Sequence, residues 1–154
     1  MKLNTLINSN KIQFNNFYNK LLNKHLSSSI LGKAMKYGSM NGGKRIRPYL
    51  VKEASKIVKL NKNNMMILAS CIESIHSYSL IHDDLPSMDN DDYRRGKPST
   101  HKKFNEATAI LAGDALHDFA FELISGHLKN IDEKTNLKII NFLSKSTGHI
   151  GLAG

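Results

Sequence analysis

The sequence predicts an all-α chain. Apolar residues recur at three- and four-residue spacings through most of its 154 positions, helix caps and breakers stand where those stripes end, and no stretch alternates with period two. Ile12, Phe14, Phe17, Tyr18, Leu21, Leu22 and Leu26 form the face of a first amphipathic helix. Ser27-Ser28-Ser29 offers an N-cap for a short helix to about Tyr37, broken by Asn41-Gly42-Gly43. A further helix is expected to start near Arg47-Pro48, with proline in its first turn. It is expected to turn Leu50, Val51, Ala54, Ile57 and Val58 inward. Asn63 or Asn64 caps a long helix from Met65 to about Asp84, and Pro86 disfavours helical geometry at Leu85. From Ser87 to about Lys103 the chain is too charged and turn-rich to be core. Asn105 caps a helix carrying Ala109, Ile110, Leu111, Ala115, Leu116, Phe119, Ala120, Leu123 and Ile124. Residues 132–146 make another with Leu137, Ile140 and Leu143, and His149-Ile150-Gly151-Leu152-Ala153-Gly154 reads as the opening of one more buried helix.

Length and composition fit one globular domain: 40% hydrophobic and 23% charged residues exclude a disordered chain. The longest apolar runs are a few residues, so no membrane-spanning helix is expected. Asparagine and threonine near Met1-Lys2-Leu3 interrupt any secretory signal, and the lone Cys71 cannot form an internal disulfide, which together predict a cytoplasmic protein. The net charge of +9 is uneven: residues 1–64 hold 11 Lys and 2 Arg against Glu53 alone, whereas residues 65–154 are net acidic. Because lysine is spread along the chain, nucleic-acid binding is not expected. Arginine occurs four times, as Arg45 with Arg47 and Arg94 with Arg95, and these pairs are the more informative cations because a guanidinium grips phosphate in a fixed fork.

Five carboxylates lie within ten residues, at Asp83, Asp84, Asp89, Asp91 and Asp92, and Arg94-Arg95 follows at once. Unpaired, such acids repel one another and invite a divalent cation. A calcium loop beginning at Asp89 would need glycine at its sixth position, where Arg94 stands. Magnesium suits the pattern better, since one or two carboxylates hold it together with substrate phosphates; a solvated acidic loop is the bland alternative. Gly42-Gly43-Lys44-Arg45-Ile46-Arg47-Pro48 sets mobile backbone and three cations before a helix N-terminus, where an anion is favoured. His76 lies seven residues, nearly two turns, before Asp83 and shares its helix face.

These segments resemble the trans-polyprenyl diphosphate synthases, most closely the bacterial geranyl/farnesyl type. The matching residues are Gly42 to Pro48, Glu73 to Gly96 with Asp83-Asp84-Leu85-Pro86-Ser87-Met88-Asp89 as a first aspartate-rich motif, Leu111-Ala112-Gly113-Asp114-Ala115-Leu116, and Gly148 to Gly154. The resemblance covers roughly residues 30–154. It implies an isoprenoid-synthase-type helical bundle around a central cavity, of which residues 1–154 form the N-terminal part. The implied reaction is Mg²⁺-dependent condensation of isopentenyl diphosphate with dimethylallyl or geranyl diphosphate. Carried over, Lys44, Arg47 and His76 bind the isopentenyl diphosphate and Asp83, Asp84 and Asp89 hold Mg²⁺ on the allylic one. Arg94 contacts the allylic diphosphate and Arg95 the isopentenyl diphosphate. Tyr78, with small Ser79 beside it, floors the pocket for the growing chain, which implies a C15 product by way of C10. The family's second aspartate-rich motif, and the lysine and glutamine that precede it, have no counterpart in these 154 residues. Complete members form homodimers, so the alternative expectation is a non-catalytic subunit that pairs with a complete synthase.

Overall fold

A computed structural model describes residues 3–154 and is all-α apart from one small hairpin. Met1 and Lys2, on which part of the reading of the terminus rests, lie outside the described residues. The helices are α1 (Leu3–His25), α2 (Ile30–Ser39), α3 (Ile46–Ile57), α4 (Lys62–Asp83), α5 (Thr100–Lys103), α6 (Glu106–His127) and α7 (Glu133–Thr147). Strands β1 (Tyr93–Arg94) and β2 (Lys97–Pro98) pair antiparallel between α4 and α5. Among the described residues no helix is long and apolar enough to cross a membrane.

The frame is the pair α4 and α6, which run antiparallel. At one end the Asn64 amide donates to the Lys129 carbonyl (2.8 Å) while its oxygen accepts from the Lys129 N–H (2.9 Å); at the other, His82 Nε2 lies 3.0 Å from the Ile110 carbonyl. Between these ends Cys71, Leu116, Ala120, Leu123 and Ile124 are buried, and α1 lays Phe14, Tyr18 and Leu22, all fully buried, against the same core. Burial of that order stabilises by about 25 cal/mol per Å² of apolar surface removed from water. Burial also pushes the Cys71 thiol up to about 12, so it packs as a small hydrophobe.

Capping follows the predicted logic with one displacement. Ser29, Asn105 and Asp132 accept from the N–H groups of Gly32, Thr108 and Thr135. For α4 the cap is Asn61, accepting from Asn64 N–H at 2.9 Å, and not Asn63 or Asn64, because Asn64 is spent on Lys129. The first helix also begins earlier than its apolar stripe, at Leu3, and Ile12 points outward.

Four expectations are corrected. On α3 the inward positions are Pro48, Val51 and Ser55, while Leu50 and Ala54 are exposed, with Ile57 84% and Val58 71% accessible. Two stripes satisfy a helical period on this helix, and the buried one is the less apolar. Leu137 of α7 is likewise exposed. The stretch from Ser87 is not wholly outside the core: Ser99, Thr100 and His101 are buried where α5 closes against α2 and α6. Finally, residues 148–154 form successive turns with Ile150 exposed, not a buried helix.

Candidate active site

Three positive-φ positions shape the basic loop ahead of α3. Gly42 and Gly43 take φ of 85° and 102°, and Arg45, the N-cap of α3, takes 54°. A non-glycine residue there costs about 1 kcal/mol or more. Arg45 is held by its side chain, which turns inward instead of toward solvent. Its Nη1 donates to Glu73 Oε1 at 2.5 Å, its Nε to Asn15 at 2.9 Å and its Nη2 to the Ser39 carbonyl at 2.8 Å. The guanidinium and the Glu73 carboxylate are 1% and 4% exposed. Of the arginines that read as phosphate ligands, this one is a buried anchor. With Arg45 turned in, Lys44 and Arg47 remain on the exposed side.

Arg47 Nη1 lies 3.2 Å from His76 Nε2 on α4. Burial first, then the Arg47 charge, holds the His76 imidazole below its usual range, so the ring is neutral at pH 7. Lys44, Arg47 and His76 line one cavity of about 480 Å³ together with Gly43, Glu73, Arg95 and Lys11. Lys11 comes from α1 and carried no motif signal; an isolated lysine in an Asn/Lys-rich helix is invisible to spacing arguments.

The hairpin explains how adjacent arginines serve different places. Arg95 and Gly96 form its two-residue turn with φ of 55° and 76°, the all-positive pattern of a type I′ turn. Arg95 Nη1 donates to the Gly42 carbonyl at 2.6 Å, and its guanidinium lies where a side chain on Gly43 would stand, which accounts for the second glycine. Arg94 points the other way. Its Nε donates to both oxygens of Asp84 at 2.7 and 2.8 Å, and its Nη2 also contacts that carboxylate.

Asp83 ends α4, and the loop folds back so that the Asp89 N–H donates to the Asp83 carbonyl at 2.8 Å. Asp83 is half-buried and Asp89 exposed, whereas Asp84 is buried against Arg94 and separated from them in environment. Burial, followed by the charge of Asp89, pushes the Asp83 carboxyl above its ordinary range. The motif therefore presents an uncompensated acid pair beside a third acid already matched by a guanidinium.

Tyr78 stands one turn and a half before Asp83, edge-on to His82 (5.3 Å) and His117 (5.2 Å). With Asp114 and Asp118 these residues line an open cleft between α4 and α6 that is more polar than a hydrocarbon tail requires. The Ser79 hydroxyl donates to the His76 carbonyl at 3.0 Å. The His82 ring lies against Gly113, whose missing Cβ leaves room for it, so the glycine of Leu111-Ala112-Gly113-Asp114 is a packing requirement.

The all-α frame thus gathers cationic groups around one cavity and acidic groups at the end of α4, and comparison with known proteins supplies the family. The chain belongs to the polyprenyl synthetase family, whose model matches residues 28–152. It is 49% identical over 119 residues to the farnesyl diphosphate synthase of Haemophilus influenzae, covering 77% of this chain and 40% of that protein. With the farnesyl diphosphate synthase of Micrococcus luteus it shares 50% identity over 133 residues, covering 86% of this chain and 45% of that one. The crystal structure of a geranyltransferase from Legionella pneumophila superimposes with a TM-score of 0.91 at 38% identity, over 97% of this chain and 53% of the other. The chain thus spans less than half the length of these curated relatives, and its all-α fold is that of the matching part of the solved structure.

Proposed function

We propose that residues 1–154 are the N-terminal part of a polyprenyl synthase domain that condenses isopentenyl diphosphate with dimethylallyl or geranyl diphosphate to give geranyl and farnesyl diphosphate. The observation that carries this reading is the cavity in which Lys44, Arg47, Arg95 and neutral His76 converge, joined through the Arg95-Gly96 turn to the acidic end of α4. Lys44 and Arg47 grip the isopentenyl diphosphate, and Arg95 closes on it from the hairpin. His76, neutral, supplies a ring N–H to a phosphate oxygen and adds no charge that Arg47 would oppose. Arg94 holds Asp84 in register and offers its remaining N–H groups to the allylic diphosphate.

The donor set at the end of α4 fits Mg²⁺: hard carboxylate oxygens, a raised proton affinity at Asp83, and Asp89 folded back upon it. Asp83, Asp89 and, on release from Arg94, Asp84 would hold it. When bound, the ion neutralises charge developing on the departing allylic diphosphate. The protein's own part is to orient both diphosphates and to exclude water from the cationic carbon. Tyr78 and Ser79 set the depth available to the growing chain, for a C15 product.

Transfer of radiolabelled isopentenyl diphosphate to geranyl diphosphate by the purified chain tests the proposal, and turnover would support it. Association with a complete synthase without any turnover would shift the reading to a non-catalytic pairing subunit, for which the exposed Leu50, Ala54, Ile57 and Val58 stripe of α3 is the surface to examine.

A further inference from the structure

The end of the α4–α6 pair marked by Asn64 and Lys129 carries a second cluster of titratable groups with no part in the diphosphate site. It lies about 28 Å along α4 from Asp83, at 1.5 Å per residue from Asn64. His25 is the last residue of α1, and His127 is the last residue of α6. Glu122 stands between them, five residues before His127. One ligand atom from each of the three lies within 4.8 Å of the others. His25 Nδ1 is 3.4 Å from Glu122 Oε1, His127 Nε2 is 4.0 Å from the same oxygen, and the two rings meet edge to face at 4.6 Å.

We propose that His25, Glu122 and His127 form a binding site for a divalent transition cation of the zinc type, held by two imidazoles and one carboxylate. Imidazole with carboxylate suits Zn²⁺ and its neighbours better than Mg²⁺, whose preference is for oxygen alone. Bonds of about 2.1 Å in tetrahedral array put ligand atoms roughly 3.4 Å apart, the spacing already present between His25 and Glu122. His127 Nε2 needs to close on the Glu122 oxygen by about half an ångström to match that spacing. Glu122 is free to follow because its side chain is 56% exposed. On His25 the nitrogen facing the carboxylate is Nδ1, while Nε2 is buried without a hydrogen-bond partner. Both histidines also end helices, where the partial negative charge of the C-terminus favours a cation. With one open position for water the site is of the three-ligand kind, and an ion there staples the end of α1 to the end of α6.

Titration of the purified chain with Zn²⁺ in excess Mg²⁺, followed by calorimetry and by thermal unfolding, tests this. One ion per chain and a rise in Tm reversed by chelator are expected, and Co²⁺ in its place should give the visible spectrum of a tetrahedral nitrogen–oxygen site. Glu122→Gln and His127→Asn, both at accessible positions that leave folding intact, should each weaken Zn²⁺ at least tenfold, the scale on which even outer-shell partners act. His25→Ala should abolish binding. Zinc binding unchanged in Glu122→Gln and His127→Asn, or lost in Asp83→Asn and kept in those two, would overturn the site. So would the absence of any Zn²⁺ binding, which would leave an edge-to-face imidazole pair sharing a carboxylate.

Discussion

Arg45→Met, Glu73→Leu and their combination form a double-mutant cycle on the pair that anchors the basic loop. Both charges are almost fully buried and lie 2.5 Å apart, so each single substitution strands its partner's charge in the core. Removing one member of such a pair costs about 3–5 kcal/mol. That is at least about a fifth of the ~5–15 kcal/mol that holds a domain together. Arg45→Met is the worse of the two because it also withdraws the bonds to Asn15 and the Ser39 carbonyl, at about 0.5–1.5 kcal/mol each. In the double variant no buried charge remains, and the loss should shrink to those two hydrogen bonds, about 1–3 kcal/mol. Urea unfolding reads the cycle. With a slope near 2 kcal/mol/M, Glu73→Leu should lower the midpoint by roughly 1.5–2.5 M, Arg45→Met by about 0.5–1.5 M more than that, and the double by about 0.5–1.5 M. A double variant costing the sum of the singles would refute the ion-pair reading. Singles that cost under about 1 kcal/mol would do so as well, since values that small belong to solvent-exposed pairs.

Asp83 carries the opposite sign. Its folded proton affinity is raised, so the stability it contributes is present below the ordinary carboxylate pKa and is lost as pH rises through the raised value. Asp83→Asn should therefore stabilise the metal-free chain at neutral pH in urea titrations while weakening Mg²⁺-dependent diphosphate binding. His76 is lowered, so between that value and the ordinary histidine pKa the unfolded chain binds more protons. Stability should fall as pH drops through about 6.5, the ordinary histidine value, and His76→Gln should flatten that limb of a pH-dependent melting series. Gly113→Ala should cost about 1–3 kcal/mol by driving a methyl into the His82 ring. Adding His82→Ala should recover part of that loss in thermal melts. Tyr78→Ala should lengthen the products separated by chromatography, and an unchanged length would dismiss Tyr78 as the floor.

Helical period and capping chemistry carried most of the fold. The stop of α4 ahead of Pro86 and the caps at Ser29 and Asn105 are local events, decided by side chains within three residues. The direction of α3 was not local. Leu50, Ala54, Ile57 and Val58 make the stronger apolar stripe, yet Pro48, Val51 and Ser55 face the core, because contacts from α1 and α4 choose the face. The hairpin was hidden for a different reason: two strands of two residues carry no alternation, and its turn places arginine, not asparagine, at the first positive φ. Lys44, Arg47, Arg95 and His76, which the resemblance groups together, line one cavity. Arg45 looked identical to its neighbours in sequence, and only the position of Glu73 on α4 distinguishes a buried anchor from a ligand.

The distribution of matched and unmatched charge explains why the site asks for a ligand of one particular kind. Two of the four arginines are neutralised within the chain, Arg45 by Glu73 and Arg94 by Asp84. Those ion pairs fix geometry and leave little net field. Around the cavity, Lys44, Arg47 and Arg95 remain with Glu73 already spent on Arg45, and burial together with the Arg45 charge pulls the Arg95 proton affinity down. At the end of α4, Asp83 and the exposed Asp89 remain, and Asp83 carries the reverse perturbation. Repulsion stored at each place is relieved only by charge from outside: an anion at the cavity and a cation at the end of α4. A simple phosphate answers the first and a free metal ion the second. Diphosphates with a divalent ion between them answer both at once, and that is the charge argument behind the proposed diphosphate ligands.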